Sequence, residues 1–220
     1  MTTFDDQFGE RWVASMLATF DAQAADLGEL DRQAGDGDFG TNISSAYRRA
    51  REEARKAQPE SYSEWLTTVS RGFLGTGGTS GPLFGMFFRE LARCTTSSAP
   101  TASELADGLA NGLATVQRYG KAKVGHKTMV DALAPAALAM GQAVKDGHPD
   151  PLATAAAAAV DGARSTAAIT ARRGRAAYVG EVSRGVLDPG AVAMAMVIQT
   201  AHNAAMGTTD PAGSILVDPA

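Results

Sequence analysis

The chain has 220 residues, 45% of them hydrophobic and 20% charged, which is ordinary for one globular domain and excludes global disorder. Its formal net charge of −4 argues against a nucleic-acid partner, because proteins that bind phosphate backbones carry a basic face. Cys94 is the only cysteine, so an intrachain disulfide or a cysteine metal cage is excluded, and a cytoplasmic location is expected.

Neither a signal peptide nor a membrane span is predicted. Asp5, Asp6 and Glu10 interrupt the apolar residues of the N-terminal segment, which a signal peptide would not tolerate. The longest apolar run, residues 152–160, is far shorter than the roughly 20 residues that cross a bilayer. We therefore expect a soluble protein without a membrane partner.

Apolar residues recur at helical spacing along most of the chain. The first stripe runs from Phe8 to Phe20 in steps of four, and similar stripes cover residues 83–91, 105–116 and 133–144. A convincing alternation of period two is absent, so strands are not predicted. Turn-forming segments separate the stripes into about seven or eight helices with short connections, which indicates an all-α, antiparallel bundle.

The expected boundaries follow from turn and cap residues. Ser103 is a candidate N-cap before Glu104, a helix is expected to begin near Pro82, and Pro189 suits the first turn of the last helix. Residues 1–206 are interpreted as one domain, and residues 207–220 as a flexible C-terminal tail.

Polar, charged and glycine residues cluster in four loops, at residues 31–42, 75–82, 119–131 and 172–190. Alternate loops of an up-and-down bundle lie at the same end. Our hypothesis is that these four loops form a single rim.

The first loop, "DRQAGDGDFGTN", brings Asp31, Asp36 and Asp38 close together. Carboxylates about 4–6 Å apart repel one another by a few kcal/mol per pair at an effective dielectric constant near 20. Gly35 and Gly37 supply the backbone freedom that lets them converge. An all-oxygen, anionic set favours Mg²⁺, which is usually shared with substrate phosphates. The alternative is an Asp/Gly-rich surface turn with an ordinary capping aspartate.

The second loop, "GTGGTSG", precedes a helix, where backbone N–H groups and the helix dipole favour phosphate. The Thr79 and Ser80 hydroxyls add to this interpretation. The loop matches neither the P-loop pattern nor the dinucleotide-binding pattern, and it is also compatible with a flexible hinge.

The other two loops contribute basic residues. Most of these basic residues, which include Lys123, Lys127 and Arg175, are expected to be solvated. Arg175, between a glycine and two alanines, is a candidate phosphate ligand. Met129 is a candidate for an adenine pocket, although a helical methionine is more often a core residue. The spacing of the three isolated histidines indicates no catalytic base.

The segments at 30–42, 77–85, 123–135 and 174–191 together resemble the L subunit of bacterial dihydroxyacetone kinase over roughly residues 8–205. The resemblance implies an antiparallel eight-helix barrel with a nucleotide, ADP or ATP, at one open end. It also implies two Mg²⁺ ions held by Asp31, Asp36 and Asp38. The implied nucleotide-binding residues are Phe39, Gly40, Thr41, Asn42, Gly78, Thr79, Ser80, Gly120, Met129, Arg175, Asp188, Pro189 and Gly190.

In that family a separate K subunit holds dihydroxyacetone covalently, and the L subunit delivers the γ-phosphoryl group. The resemblance therefore implies a kinase subunit without a catalytic residue of its own, since positioning and charge neutralisation carry phosphoryl transfer. The phosphoryl donor is either exchangeable ATP or a protein of the phosphotransferase system that rephosphorylates a fixed ADP. The sequence leaves a homodimer open.

Two positions depart from the family pattern. Phe39 stands where the family usually has histidine, and His126 stands where it usually has aspartate. These changes leave the acceptor open between dihydroxyacetone and a related ketose such as erythrulose. Two other functions stay open: the nucleotide domain of a fatty-acid kinase, and a nucleotide-loaded regulatory subunit without turnover, which Phe39 favours.

Overall fold

The structure is a computed structural model that describes residues 3–213 and Ile215. Within these residues the chain forms eight α-helices. Their bounds are α1 Phe8–Ala34, α2 Phe39–Ala57, α3 Tyr62–Leu74, α4 Ser80–Ala92, α5 Ala102–Gly120, α6 Val130–Lys145, α7 Pro151–Ser165 and α8 Pro189–Ala205. Three short 3₁₀ turns lie between α7 and α8, at Thr166–Ala168, Arg175–Tyr178 and Gly180–Ser183.

The eight helices form a closed ring. Each helix packs against the next one in the chain, and α8 packs against α1. Short connections make consecutive helices antiparallel, so the prediction of an all-α, eight-helix antiparallel barrel is confirmed. None of the helices in the described part of the chain is both long and apolar enough to cross a membrane.

The core differs between the two halves of the ring. In the first half, aromatic rings stack inside the barrel: Phe8 lies 5.9 Å from Tyr62, and Phe20 lies 4.5 Å from Tyr47, between ring centroids. In the second half, α8 is buried from Val192 to Ile198 without interruption, as expected for a helix that is apolar on all sides. This arrangement fixes the helix ends, and hence the loops, at the open end of the barrel.

Two expected helix boundaries shift. Helix α5 begins after Thr101 and not after Ser103, because the Thr101 hydroxyl accepts the Glu104 N–H at 3.2 Å and the Glu104 carboxylate accepts the Thr101 N–H at 2.7 Å. Helix α4 begins at Ser80, two residues before Pro82. Pro189 occupies the first turn of α8, as predicted.

The described part of the expected tail lies against α1 and α8. The Ala212 N–H donates to the Thr19 hydroxyl at 2.8 Å, the Asn203 amide donates to the Asp210 carbonyl at 3.0 Å, and Ile215 is buried. Residues 214 and 216–220 of the expected flexible tail lie outside the described residues. Asp210 and Ala212 are thus joined to α8 and α1 by hydrogen bonds, while most of their neighbours are exposed.

A substitution at Gly40 tests whether α1 and α2 approach each other as closely as described. A Cβ atom at Gly40 would lie 2.2 Å from the Ala24 carbonyl oxygen, so we expect Gly40→Ala to lower the free energy of unfolding by about 1–3 kcal/mol or more. Urea denaturation measures this change. The matched control is Gly141→Ala in α6, where a Cβ atom meets nothing within 4 Å. It should be neutral or stabilise by about 0.5–1 kcal/mol, and equal losses in the two variants would contradict the packing described here.

Candidate functional site

A cavity of about 330 Å³ opens where the four polar loops meet. It is lined by Asp31 of the first loop, Thr79 of the second, Met129 of the third and Arg175 of the fourth, together with their neighbours. Its volume lies within the range of small-molecule sites. The hypothesis that the four loops share one rim is therefore confirmed.

All but two of the predicted site residues line this cavity. Gly40 and Thr41 do not. Gly40 faces α1, where its missing side chain allows the two helices to approach, and Thr41 is exposed on α2. The residues that do line it are Asp31, Asp36, Asp38, Phe39, Asn42, Gly78, Thr79, Ser80, Gly120, Met129, Arg175, Asp188, Pro189 and Gly190.

The acidic loop joins the end of α1 to the start of α2. The Asp31 carboxylate accepts the Phe39 N–H at 3.0 Å and so bridges the two helices. Gly37 has a φ of +79°, as its predicted freedom requires, whereas Gly35 has a negative φ of −150° and is needed for space. A Cβ atom at Gly35 would lie 2.2 Å from Asp31 Oδ1. Asp38 precedes α2 without capping it through its side chain, which leaves its carboxylate available to a ligand.

The acidic loop holds an excess of negative charge. Burial raises the pKa of Asp31, and the nearby Asp36 carboxylate raises it further, while the Phe39 N–H opposes both effects. Across the cavity, Arg175 Nε lies 3.1 Å from Asp36 Oδ2. This guanidinium neutralises one of the three carboxylates.

These residues fit a hard divalent cation in donor type and charge. All three side chains supply oxygen donors and line one cavity, which is the chemistry that Mg²⁺ prefers. Among the described residues, however, no group of three or more His, Cys, Asp or Glu side chains already converges as a ligand set. Asp36 in particular is turned toward Arg175.

The glycine loop ends at the N-terminus of α4, on the cavity wall. Gly78 has a φ of +82°, and a Cβ atom there would lie 3.1 Å from the Asn42 side-chain nitrogen. Thr79 occupies the N-cap position but makes no side-chain cap. The N–H groups of the first turn and the Thr79 hydroxyl are thus available to an anion.

Apolar residues form another wall of the cavity. Met129 is buried and lies against Gly190, where a Cβ atom would be 3.7 Å from the methionine Cβ. Sequence reasoning missed most of this wall, because helical apolar residues look alike whether they face a core or a pocket. The missed residues are Leu83, Phe84, Val116, Val130 and Leu187.

Asp188 is a buried acid on the cavity wall. Its Oδ2 accepts the Ala191 N–H at 2.7 Å and caps α8. Burial raises the pKa of Asp188 to about 7, although the Ala191 N–H and the Lys127 ammonium oppose the shift and the Asp131 and Asp31 charges add to it.

Lys127, one of the basic residues of the polar loops, is buried in the cavity wall. Burial lowers the pKa of Lys127, while the Asp188 and Asp131 carboxylates oppose that shift. Asp131 is buried as well and holds the backbone of its loop, accepting the Gly125 N–H at 2.6 Å and the Thr128 N–H at 2.8 Å. No local sequence signal distinguishes Lys127 from its exposed neighbour Lys123.

Comparison with known proteins agrees with this geometry. The DAK2 domain family matches residues 33–203, which is most of the chain and includes three loops of the rim in full and the first loop from residue 33. The chain belongs to the DAK2 domain family. The resemblance to the L subunit of bacterial dihydroxyacetone kinase is therefore confirmed.

Two relatives illustrate the family. The ADP-binding subunit DhaL of the PEP-dependent dihydroxyacetone kinase of Escherichia coli is 33% identical over 192 residues, covering 86% of this chain and 91% of the relative. The L-erythrulose 1-kinase of Mycolicibacterium smegmatis is 37% identical over 198 residues, covering 86% of this chain. The chain spans only 34% of the length of that kinase.

The fold is also that of a solved kinase. The crystal structure of the dihydroxyacetone kinase from C. freundii in complex with AMP-PNP and Mg²⁺ matches with a TM-score of 0.66 and 27% identity. The match covers 91% of this chain and 34% of the C. freundii chain.

The raised pKa of Asp188 predicts a pH-dependent stability in the protein free of nucleotide and Mg²⁺. The pKa of Asp188 is about 7 in the folded protein and about 3.9 in the unfolded chain, so the fold favours the protonated carboxyl. Its contribution to the free energy of unfolding is therefore complete below about pH 4 and is lost as the pH rises through about 7. Asp188→Asn keeps the cap and cannot ionise. From pH 4.5 to 7.5 the variant should therefore gain stability relative to the wild type, by up to about 1.4 kcal/mol per pH unit.

Urea denaturation at several pH values measures this difference. A constant difference between Asp188→Asn and the wild type across the range would show that Asp188 ionises normally in the fold.

Proposed function

We propose that the chain is the nucleotide-binding subunit of a ketose kinase. It transfers a phosphoryl group from a magnesium nucleotide to dihydroxyacetone, or to a related small ketose, that a K-type partner subunit holds covalently. The enzyme class is supported by the names of the relatives, which are dihydroxyacetone kinase subunits and erythrulose kinases.

One observation carries this proposal: a single cavity joins the acidic loop, the start of α4, an apolar wall and Arg175. A nucleotide needs these features together, because its base is apolar and its phosphates are anionic. We assign the adenine to the wall near Met129 and Gly120, and the phosphates to the side of Asn42, Thr79 and Ser80.

Mg²⁺, which we expect as two ions, would be held by Asp31, Asp36 and Asp38, and when bound it neutralises charge on the transferring phosphate. The chain's own residues bind and orient the nucleotide. Asp31 fixes the acidic loop through the Phe39 N–H, and Arg175 supplies a planar donor that suits phosphate once it leaves Asp36. The wall limits water around the bound phosphates.

We expect a protein partner to dock near the cavity. Two of the loops that line the cavity, at residues 119–131 and 172–190, expose apolar side chains at Tyr119, Val124, Tyr178, Val179 and Val182. Basic residues are exposed on the same loops and at the end of α5, at Arg118, Lys121, Lys123, Arg172, Arg173 and Arg184. Exposed apolar and basic side chains on a chain of net charge −4 suit an acidic partner that brings the acceptor to the phosphate.

The donor is either exchangeable ATP or a phosphotransferase-system protein that rephosphorylates bound ADP, and the E. coli relative is named PEP-dependent and ADP-binding. We place the reaction in the cytoplasm, where the single, half-buried thiol Cys94 would stay reduced.

The metal assignment predicts that Asp36→Asn weakens binding of MgADP by at least about tenfold, since one ligand charge is lost. Isothermal titration calorimetry or native mass spectrometry with and without Mg²⁺ measures this. Asp21→Asn is the matched control, because Asp21 is also an exposed aspartate paired with an arginine, Arg51, at 2.7 Å, but lies outside the cavity. Full MgADP affinity in Asp36→Asn would remove the metal site.

Turnover distinguishes the proposed kinase subunit from a regulatory subunit. We expect phosphorylation of dihydroxyacetone or erythrulose when the protein is mixed with a K-type subunit and a phosphoryl donor, followed by mass spectrometry of the sugar phosphate. The regulatory alternative is favoured by Phe39, a nearly buried aromatic residue beside Asp31. Partner binding without transfer, restored to transfer by Phe39→His, would decide for that alternative.

A further inference from the structure

Lys127 is the buried cation of the cavity wall. Its side chain is 1% exposed, and its backbone adopts a left-handed conformation with a φ of +61°. Its Nζ donates to the Thr166 carbonyl at 2.6 Å and to the Val186 carbonyl. These two carbonyls are far apart in sequence: Thr166 directly precedes one segment, and Val186 lies at the end of it.

That segment, residues 167–187, leaves the barrel after α7 and returns before α8. Its two ends meet at a neck, where the Gly185 N–H donates to the Ala167 carbonyl at 2.8 Å and the Asp188 N–H donates to the Thr166 hydroxyl at 2.9 Å. Lys127 bridges both sides of this neck from the neighbouring loop. Its ammonium group thus connects three parts of the chain by hydrogen bonds: the loop that carries Lys127 and the two sides of the neck.

The middle of the segment extends from the neck to the acidic loop. Within it, the Ala171 N–H donates to the Ser183 hydroxyl at 2.9 Å, and this hydrogen bond joins the first half of the segment to the second half. At its far side Arg175 Nε lies 3.1 Å from Asp36 Oδ2. The position of Arg175 over the cavity therefore depends on the neck, together with the Arg172 N–H, which donates to the His126 carbonyl at 3.1 Å.

A buried ammonium group is costly unless its hydrogen bonds are made, and a methionine would fill similar space without that cost. Lys127 meets the requirement with the two neck carbonyls and with the nearby Asp188 and Asp131 charges. The arrangement is specific to the neck, because both carbonyl acceptors belong to it.

We propose that Lys127 is a positioning residue: by fixing the neck of segment 167–187, it holds Arg175 where the phosphates of a nucleotide bind. This inference rests on the proposed function, in which the cavity takes a magnesium nucleotide. Lys127 itself acts through Arg175 and need not touch the nucleotide.

The test is a double-mutant cycle on MgADP affinity with Lys127→Met, Arg175→Ala and the double variant. We expect each single variant to lose about ten- to a hundredfold in affinity, as for lost hydrogen bonds of a charged group, and the double variant to lose no more than Arg175→Ala alone. If Lys127→Met only lowered the general stability of the protein, the fold-losses in MgADP affinity of the two single variants would instead multiply in the double variant. Multiplied effects, or wild-type affinity in Lys127→Met, would overturn the proposal. Lys145→Met, at an exposed lysine at the end of α6 outside the cavity, is the matched control and should bind normally.

Hydrogen exchange of the nucleotide-free protein is the second measurement. The Ala171 and Gly185 amides should exchange faster in Lys127→Met, whereas amides inside α8 should not. Unchanged exchange at the neck would also overturn the proposal. If wild-type protein fails to bind MgADP, the proposed function fails, and the exchange measurement still decides whether Lys127 holds the neck.

Should Lys127→Met fail to fold, Thr166→Val replaces it in the same cycle, because it removes the hydroxyl that accepts the Asp188 N–H. The same non-additivity with Arg175→Ala is expected, and its absence would contradict the role of the neck.

Discussion

The main constraint on this structure is the repulsion between the carboxylates of Asp31, Asp36 and Asp38, which lie close together at one end of the barrel. Asp31 lies in the last turn of α1 and Asp38 directly before α2, so the helices themselves hold the charges near one another. Burial raises the pKa of Asp31, and the neighbouring Asp36 charge adds a smaller increase. The Arg175 guanidinium offsets part of this charge through Asp36. A divalent cation bound together with an anionic ligand would offset the remaining negative charge of the three aspartates.

Closure of the barrel gives this charged loop its surroundings. Because α8 is buried on all sides and packs against α1, the ring closes and the remaining polar loops meet the acidic loop at the same end. The cavity therefore combines groups that repel one another with groups that attract phosphate and with an apolar wall. Groups that can bind a ligand and groups that can neutralise its charge are thus concentrated in one place, as phosphoryl transfer requires.

Helical periodicity predicted the fold because every helix buries a stripe, and the glycine- and aspartate-rich loops predicted most of the cavity lining. Two details of the prediction are wrong. It places the start of α5 after Ser103, although the spacing Thr101-x-x-Glu104 is a capping box that indicates a start after Thr101. It assigns Gly35 to backbone freedom, but Gly35 is needed because a Cβ atom there would clash with Asp31, which composition does not reveal. The burial of Lys127 could not be predicted, because its acceptors, Thr166 and Val186, come from sequence-distant ends of another segment.

The most direct test is a crystal structure of the protein with ADP and Mn²⁺ in place of Mg²⁺, with the ions located by anomalous scattering. We expect anomalous peaks at metal–oxygen distance, about 2.1 Å, from carboxylate oxygens of Asp31, Asp36 and Asp38, with the nucleotide phosphates on the same ions. Peaks elsewhere, or ADP bound while Asp36 remains paired with Arg175 and no metal contacts the three aspartates, would contradict it.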